Sequence, residues 1–439
     1  MGILVGIGNT NPTFSYDCFY GVEFDTTVAS YNGTRVGRAD LHANVPIQSK
    51  MRRCVLKDDG TVAYYLHAND STKRDTGAAA VLDGTDGQVM VEIPAHYRRF
   101  ETEGTKIRCL LSEYPLPGFT LVPKMYVSAY EATVDRTSNK LASVVNTTAQ
   151  YRGGGNNASR DAGENTDLGK PATAISLTNY RTYARNRGNE GEAFWNCYTY
   201  EAHKALTWLF AVEYATRHSQ ATFSEALDDN GYHIGGLGPG VSTVNSTDWN
   251  TFNGYYPIVP CGVTNSLGNK TGVVEYALPA SFGDGNVKVS VPSYRGVENP
   301  FGHLFKWTDG ALFAIQSAND GGKSLIYVCD NPAGYGSSIS DQYKNIGEMA
   351  RTEGYVKNVV FGEGGDIFPL EVGGGSTTYW CDFFYTSIPE SGVSTRGLLL
   401  GGSALYGAYC GFASVRSHFA PSDTSAYFGS RLCYICEAA

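Results

Sequence analysis

Charge is scarce in this sequence, and it is not concentrated anywhere. Charged residues make up 18% of the 439 residues, and the formal net charge is −9 at pH 7. No cluster of lysines and arginines is present, although a protein that binds nucleic acid or a membrane surface through its charge needs a basic field. We therefore expect a chain that binds no nucleic acid.

Long apolar runs are also missing. The first residues, MGILVGIGNTNP, lack the positive region and the long apolar region of a secretory signal, and no run approaches the length of a membrane span. We expect a protein that is neither conventionally secreted nor inserted into a membrane.

Cysteine is present but never dense. The ten cysteines are spread singly along the chain, unlike those of a small disulfide scaffold. We expect mostly free, buried thiols in a protein that folds in the cytoplasm. Cys433 and Cys436 form a CxxC without a second pair, which favours a buried pair at a strand end over a zinc site.

Catalytic motifs are missing as well. The sequence has no HExxH, no GxSxG elbow, no Walker loop and no GxGxxG after a strand. The glycine-rich residues 235–240 have the wrong spacing for a phosphate loop, and Pro239 removes an amide that such a loop would use. The eight histidines include no pair spaced for a metal. No catalytic residue, metal site or cofactor is therefore predicted.

Glycine and tyrosine, by contrast, are abundant, with 52 and 30 residues. This composition indicates a β-rich, loop-rich protein with much tyrosine at its surfaces. Two helices are predicted, one capped by Ser176 and one that begins near Thr199 and holds Arg217 and His218 in its last turn. Beyond Asp228 we expect short strands and turns without a helix of useful length.

The pattern of strands predicts two domains. Asp59-Gly60 lies between two strand-like runs and predicts a hairpin within a small β-rich module at residues 1–80. Residues 77–87 are small or turn-forming and mark the predicted boundary, although a loop within one domain would have the same composition. In the second domain, residues 81–439, segments 88–100 and 106–111 are predicted to pair as strands. The fold class is α+β, irregular and β-rich with two helices, plus the N-terminal β module.

The segment at residues 397–434 mixes small residues with large, chemically unrelated side chains. The large ones follow neither a helical period nor an alternation, so they do not form one buried face. Aromatics and arginine interleaved with serine, aspartate and glycine are typical of a displayed binding surface. An irregular β region whose aromatics are core would have a similar composition, and composition alone leaves both open. Phe301, Phe305 and Trp307 are predicted to form the core beneath this segment.

A family resemblance favours display. The series of motifs GGS, GAxCGF, AP and GxRLC within residues 401–433 resembles the C-terminal variable region of retroelement-diversified proteins, which carry a C-type-lectin-type fold. In that family the randomised codons cannot become Lys, Glu, Gln, Met or Trp. Those five are absent from residues 403–434, although they make up about a ninth of the chain, so about three or four are expected. The resemblance implies a variable region at about 401–434 whose ligand-binding residues are Leu405, Tyr406, Tyr409, Arg416, His418, Phe419, Ser422, Tyr427 and Phe428.

A second resemblance covers residues 88–433. The motifs VxxxYVSAYEATVD, WNCYTYEAHKALTWLFAVEYATRH and VPSYRGVENPFGHLFKWTDG resemble the formylglycine-generating-enzyme-like branch of the same fold. Those enzymes use two cysteines that bind copper. The matching positions here are Ala408 and Ala413, and Cys410 nearby has no partner at the needed spacing. The resemblance therefore implies the fold without the chemistry.

Together the two resemblances imply a receptor-binding protein of a phage tail that is not an enzyme. Its expected partners are a host cell-surface receptor, protein or glycan, and other tail proteins that contact residues 1–80. It is expected to be located in the virion and to form a homo-oligomer, for example a trimer. Two alternatives stay open: a formylglycine-generating-type oxidase, and a calcium-dependent sugar-binding lectin with ligands near residues 363–366 or 284–286, which are more simply turns.

Overall fold

The structure, a computed structural model, describes residues 17–223 and 244–436. Within them the chain is β-rich with few helices, which confirms the predicted α+β, β-rich character. The glycine-rich loop predicted at residues 235–240 lies outside the described residues. None of the described helices has the length and apolar character that crossing a bilayer requires.

Strands carry most of the regular structure. In the first part of the chain they are β1 (Tyr20–Asp25), β2 (Thr34–Gly37), β3 (Arg52–Leu56), β4 (Val62–His67), β5 (Asp70–Arg74), β6 (Gln88–Ile93), β7 (His96–Glu103), β8 (Lys106–Ser112), β9 (Thr120–Val122), β10 (Met125–Ser128), β11 (Thr133–Asp135), β12 (Lys140–Ala142) and β13 (Trp195–Cys197). The later strands are β14 (Gly272–Ala277), β15 (Lys288–Tyr294), β16 (Val297–Glu298), β17 (Phe305–Gln316), β18 (Ser324–Val328), β19 (Lys344–Glu348), β20 (Gly354–Val360), β21 (Phe368–Val372), β22 (Phe383–Thr386), β23 (Val393–Leu400), β24 (Val415–Ser417), β25 (Phe428–Gly429) and β26 (Leu432–Ile435). The α-helices are α1 (Ala39–Asn44), α2 (Leu177–Arg185), α3 (Tyr200–Tyr214) and α4 (Ser246–Asn253).

These strands form three large sheets and two small ones. A five-stranded sheet has the order β2-β1-β8-β7-β9, and a seven-stranded sheet has the order β13-β26-β10-β6-β3-β4-β5. The largest sheet runs β19-β18-β17-β23-β24-β22-β20-β21, with β25 beside β17. Strands β11-β12 and β14-β15-β16 form the small sheets.

The sheets cross the predicted domain boundary at residue 80. Strand β1 pairs with β8 over six residues, and β3 pairs with β6 over five. Side chains from both sides, such as Val22, Val55 and Phe412, belong to one hydrophobic cluster. The prediction of a separate module at residues 1–80 is therefore wrong for the described part, because strands that share a ladder and a core fold as one unit.

Turn and pairing signals gave mixed results. The predicted hairpin is present between β3 and β4, where Gly60 has φ +79° and its N–H donates to the Lys57 carbonyl at 2.9 Å. Residues 96–103 and 106–112 pair as predicted. The first part of the predicted segment 88–100 forms a separate strand, β6, which lies between β3 and β10. All side chains of β6 are buried, as in the interior of a sheet.

Both predicted helix starts are confirmed. Ser176 Oγ accepts from Asn179 N at 3.2 Å, and Thr199 Oγ1 accepts from Ala202 N at 3.2 Å. The predicted end of α3 is wrong, because Ala215 adopts a left-handed conformation that stops the helix before Arg217 and His218. Helix α4 has eight residues and is a further correction, since no helix of useful length was expected after residue 228.

Candidate functional site

The main chain of residues 401–434 leaves no room at several glycines. Gly402 has φ +77°, and a Cβ added there would lie 2.4 Å from Cys410 Sγ. A Cβ on Gly411 would lie 2.1 Å from the Asp382 carboxylate. Ala404 and Ala413 are buried as well, in two different hydrophobic clusters. These four residues, called the frame below, fix the path of the segment because close packing leaves little room for larger side chains.

Buried side chains hold the backbone at residues 407–413. Gln220 Nε2 donates to the carbonyls of Gly407 at 2.7 Å and Cys410 at 2.9 Å. His203 Nε2 lies 2.7 Å from the Phe412 carbonyl, to which it donates. Because the His203 pKa falls to about 3 through burial, this ring is neutral at ordinary pH. The loop is therefore anchored from α3 and from the short turn that follows it.

Asp382 adds a third anchor from the other side. Its Oδ2 accepts from Ala413 N at 2.8 Å and from Ser219 Oγ at 3.4 Å, and Ser219 Oγ accepts from Phe412 N at 2.8 Å. Complete burial raises the pKa of Asp382 well above its ordinary value. The carboxyl group is thus a structural hydrogen-bonding group beneath the segment.

A row of aromatic rings runs across the surface that the frame supports. Adjacent ring centroids lie 4.5 to 6.4 Å apart. The most exposed ring is that of Tyr409, at 37%. Phe305 is fully buried and Tyr385 is 9% exposed, while the other five rings are half-buried. We call this row the aromatic ribbon; in order it consists of Tyr355, Tyr409, Phe383, Tyr385, Tyr406, Phe305, Tyr427 and Tyr255.

Arg416 lies on the ribbon. Its guanidinium carbon is 5.2 Å from the ring centres of Phe305 and Tyr385 and 4.9 Å from that of Phe419. Its Nη1 donates to the Tyr406 hydroxyl at 3.3 Å. The positive charge is therefore held by ring faces and one hydroxyl, an arrangement that cation–π attraction stabilises.

His418 lies beside two arginines and one carboxylate. Burial, Arg416 and Arg396 lower the His418 pKa to about 4. Its Nε2 is 3.3 Å from Glu353 Oε1. Because the ring is neutral above that pKa, this contact is a hydrogen bond at ordinary pH and not an ion pair.

The structure brings most of the predicted site residues together. Tyr406, Tyr409 and Tyr427 belong to the ribbon, and Arg416 and Phe419 contact it. Leu405 is half-buried against a separate cluster around Trp249, into which Tyr427 also packs. Ser422 is exposed in the turn after Pro421, whose carbonyl accepts from Thr178 N of α2 at 3.5 Å.

Phe428 is a correction to the predicted exposed face. It is 0% exposed, because β25 pairs in parallel with β17 and turns the ring into the core. Its ring centroid lies 5.6 Å from that of Trp307 and 4.8 Å from that of Phe419. It therefore supports the surface from beneath and cannot contact a ligand. The predicted core residues Phe301, Phe305 and Trp307 are confirmed, each at 0% exposure.

Half of the ribbon was missed by the sequence analysis: Tyr255, Tyr355, Phe383 and Tyr385. Phe383 and Tyr385 are two positions apart in β22, so a strand places them on one face. That spacing is visible in the sequence. What the sequence does not contain is the parallel pairing of β22 with β24, which sets Tyr385 opposite Arg416.

One cavity of about 760 Å³ lies away from the ribbon and is lined by charged side chains that largely pair with one another. Lys140 Nζ lies 3.2 Å from Asp58 Oδ2, and Arg74 Nη2 lies 3.3 Å from Asp86 Oδ2. None of the ribbon's eight residues lines this cavity.

The cysteines contribute no reactive group to this surface. All ten are free, and eight are buried. Cys410 Sγ donates to the Ser403 carbonyl at 3.2 Å, and burial raises the pKa of its thiol. Among residues 17–223 and 244–436, no three His, Cys, Asp or Glu side chains are grouped as metal ligands would be.

Comparison with known proteins gives only distant likenesses. No family model and no curated protein matches the sequence. Among solved structures, PvdO from Pseudomonas aeruginosa is similar at 11% identity and a TM-score of 0.33, covering 81% of this chain and 98% of that one. The Major Tropism Determinant U1 variant is similar at 12% identity and a TM-score of 0.27, covering 88% of this chain and 72% of that one. The M1 variant gives 14% identity, a TM-score of 0.27, and coverages of 88% and 71%. Because scores this low establish neither fold family nor function, the lectin-type fold and the binding role are proposals that depend on the site itself.

Proposed function

We propose that this chain is a receptor-binding protein of a phage tail, in which a C-type-lectin-type scaffold displays a diversified surface at residues 401–434. The observation that carries the proposal is the division within this segment. Frame residues such as Gly402 and Gly411 are buried and cannot be enlarged, whereas Tyr406, Tyr409 and Tyr427 present ring surface to solvent. A fixed backbone with replaceable side chains is what a diversified binding surface needs.

The ribbon has the physical properties of a contact surface. Its solvent-facing rings are held by their neighbours, for example Tyr409, which stacks on Phe383 with centroids 4.5 Å apart. A ring that is already immobilised loses little conformational entropy when a partner covers it. Exposed aromatic rings grouped on one surface mark interaction sites in soluble proteins.

We propose binding without catalysis. The positions that match the copper-binding cysteines are occupied by Ala408 and Ala413. The nearest thiol, Cys410, is fully buried, donates to a backbone carbonyl, and has a raised pKa that keeps it protonated. A thiol in that state is neither a nucleophile nor a metal ligand.

The proposed assembly follows from the same role. Weak contacts at one surface multiply when several copies engage one cell, so a homo-oligomer such as a trimer is part of the proposal. Other tail proteins would contact residues 1–80, whose strands β1 to β5 belong to the five-stranded and the seven-stranded sheets. Such docking would use the outer edges of those sheets, β2 and β5.

Attachment to cells tests the proposal. Labelled protein is incubated with a panel of bacterial strains, and bound cells are counted by flow cytometry. Wild type should bind at least one strain, and Tyr409→Ala should weaken that binding by about 2 kcal/mol, the typical value for an aromatic hot spot. Its free energy of unfolding should change by only about 0.5 kcal/mol, because a partly exposed ring contributes little to stability.

Tyr114→Ala is the matched control, since Tyr114 is 41% exposed and lies in another part of the fold. It should leave attachment unchanged. Failure to bind any strain, or equal loss in both variants, would contradict the proposal.

A further inference from the structure

The cavity of about 760 Å³ lies between the turn of the β3–β4 hairpin, the loop before β6 and the β11–β12 hairpin. Its volume is within the range of small-molecule sites, roughly 300 to 1,000 Å³. Among the described residues that line it, Ala63 is the one aliphatic side chain. Because sites for apolar ligands are lined mainly by apolar side chains, a ligand of this cavity would be polar.

The charges of the cavity wall nearly cancel. The lining side chains include four cations and three carboxylates. Asp58 contacts both Lys140 and Arg187, and Asp86 contacts Arg74. A ligand with a strong net charge would have to disrupt one of these pairs or lie beside a like charge. The wall therefore favours a neutral ligand.

Three further side chains of the wall keep hydrogen-bonding groups available. Gln88 is 2% exposed, and its Oε1 accepts from Ser143 N at 2.9 Å, whereas its Nε2 has no partner among the described residues. The Tyr151 hydroxyl and Lys57 Nζ also make no hydrogen bond or ion pair within the described chain. The amide and the ammonium group donate, and the tyrosine hydroxyl can donate or accept. A ligand with several hydroxyl groups can satisfy all three, because each hydroxyl both donates and accepts.

Two tyrosine rings add flat apolar surface to this polar wall. Tyr64 and Tyr151 both line the cavity and are half-buried. Tyr64 is fixed by Arg74, whose guanidinium carbon lies 4.0 Å from the ring centre, and by Asp86, which accepts from its hydroxyl at 2.9 Å. The main chain of Tyr151 is held by Thr133 Oγ1, which donates to its carbonyl at 2.9 Å. Rings fixed in this way offer packing surface at little cost in conformational entropy.

We propose that this cavity binds a neutral oligosaccharide, whose hydroxyl groups bond to Gln88, Tyr151 and Lys57 and whose sugar rings pack on the two tyrosines. A sugar ring combines hydroxyl groups with carbon faces and carries no net charge, which is the combination that this wall favours. The inference goes beyond receptor binding by the ribbon, since none of the ribbon's residues lines this cavity.

Calorimetric titration of the whole protein tests the inference. The probes are neutral trisaccharides of glucose, galactose, mannose and N-acetylglucosamine, and the competing ligands are a trisaccharide that contains glucuronic acid and the peptide triserine. At least one neutral trisaccharide should bind with a Kd below about 1 mM and at least about tenfold more tightly than either competing ligand. Raising salt from about 0.05 to 0.5 M should leave that Kd unchanged, because a neutral ligand has no charge to screen.

Tyr151→Ala is the decisive variant, because it removes a ring and a hydroxyl group from the wall. It should weaken binding of the neutral trisaccharide by about tenfold or more. Tyr151→Phe keeps the ring and should weaken binding by about threefold, the value of one neutral hydrogen bond. Tyr97→Ala on β7 is the matched control, since Tyr97 is also half-buried but does not line this cavity. It should leave the Kd unchanged.

Several outcomes would overturn the inference. They are no neutral trisaccharide bound below about 1 mM, equal or tighter binding of a competing ligand, unchanged binding in Tyr151→Ala, and an equal loss in Tyr97→Ala. If Tyr151→Ala melts early, Tyr151→Phe and Lys57→Ala give the same decision, because they remove only a hydroxyl or an exposed amine.

Cell attachment measured in parallel separates the two proposals. A protein that attaches to cells but binds no trisaccharide keeps the proposed function and loses this inference. A protein that binds a neutral trisaccharide in this cavity but attaches to no strain has the opposite result.

Discussion

Helix α3 and the aromatic ribbon are both rich in aromatic side chains, but they differ in how those side chains are partnered. In α3, Trp208 Nε1 donates to the Gly365 carbonyl at 2.7 Å, and Tyr200 donates to Asp366 at 2.9 Å. In the ribbon, the Tyr385 hydroxyl has no partner among the described residues, and Tyr409 is 37% exposed. Rings that are buried and hydrogen-bonded within the chain stabilise the core, whereas rings that stay open to solvent, such as that of Tyr409, are the ones that a partner can contact.

The largest expected effect is on the α3 side of this comparison. Trp208 is 1% exposed and packs against Phe361 and Trp380 at centroid distances of 5.5 and 5.9 Å. Trp208→Ala should lower the free energy of unfolding by about 3 to 5 kcal/mol, measured by denaturant titration. Leu370→Ala, at a side chain 51% exposed, is the control and should change it by about 0.5 kcal/mol or less. A small loss for Trp208→Ala would mean that α3 is not the core element described above.

The frame should come next. Gly411→Ala places a Cβ 2.1 Å from the Asp382 carboxylate, so either the loop or the aspartate must move. We expect a loss of about 2 to 3 kcal/mol in the free energy of unfolding, the usual cost of overpacking. Cell attachment should fall as well, because the loop carries Tyr409.

Gly336→Ala is the matched control for this change. A Cβ there would meet its nearest neighbour at 3.6 Å, in ordinary contact. Its stability should stay within about 0.5 kcal/mol of wild type. If both alanine variants were equally stable, the frame would not be fixed, and the contrast between frame and ribbon would fail.

His418 gives the smallest effect and sharpens the comparison through pH. Its pKa is lowered to about 4 in the folded state, so as pH falls below 6.5 the unfolded chain binds the proton first. Stability is therefore full above pH 6.5 and declines as pH falls towards about 4. His418→Gln should remove about 1 kcal/mol of that decline, with partial exposure of the ring keeping the value small.

The difference between the two proteins isolates His418. Buried histidines such as His203, with a pKa lowered to about 3, and His96, with a pKa lowered to about 4, contribute the same decline to both. Melting curves at pH 7, 5.5 and 4.5 provide the measurement. Identical pH profiles would show that folding does not lower the His418 pKa.

Local signals in the sequence predicted local structure well. Ser176 was predicted as a helix cap and Thr199 as the approximate start of a second helix, and in both cases the hydroxyl accepts from the third amide beyond it, a contact that needs no knowledge of the rest of the fold. The hairpin at Asp59-Gly60 was also predicted from a local signal, a turn-forming pair between two strand-like runs. The end of α3 was not predicted, because Ala215 takes a left-handed conformation that alanine rarely adopts.

Long-range pairing accounts for what the sequence could not predict about the site. Tyr406, Tyr409, Arg416 and Tyr427 were predicted as site residues from their spacing within one segment. Phe428 was wrongly placed on the surface because its burial depends on the parallel pairing of β25 with β17, more than a hundred residues apart. Ring partners on β20 and β22 were missed for the same reason, since contacts between strands distant in sequence leave no local pattern.

Strand β26 has a consequence for how this protein is made. It lies in the interior of the seven-stranded sheet, between β13 and β10, and is synthesised after every other strand of that sheet. While the ribosome is still translating residues 401–431, β10 and β13 have no neighbour on the sides that β26 will occupy. A frameshift or stop codon in the segment would leave both edges open, so such a chain would tend to aggregate or be degraded. Completion of the sheet thus acts as a proofreading step, because folding is finished only after the whole segment has been translated in frame.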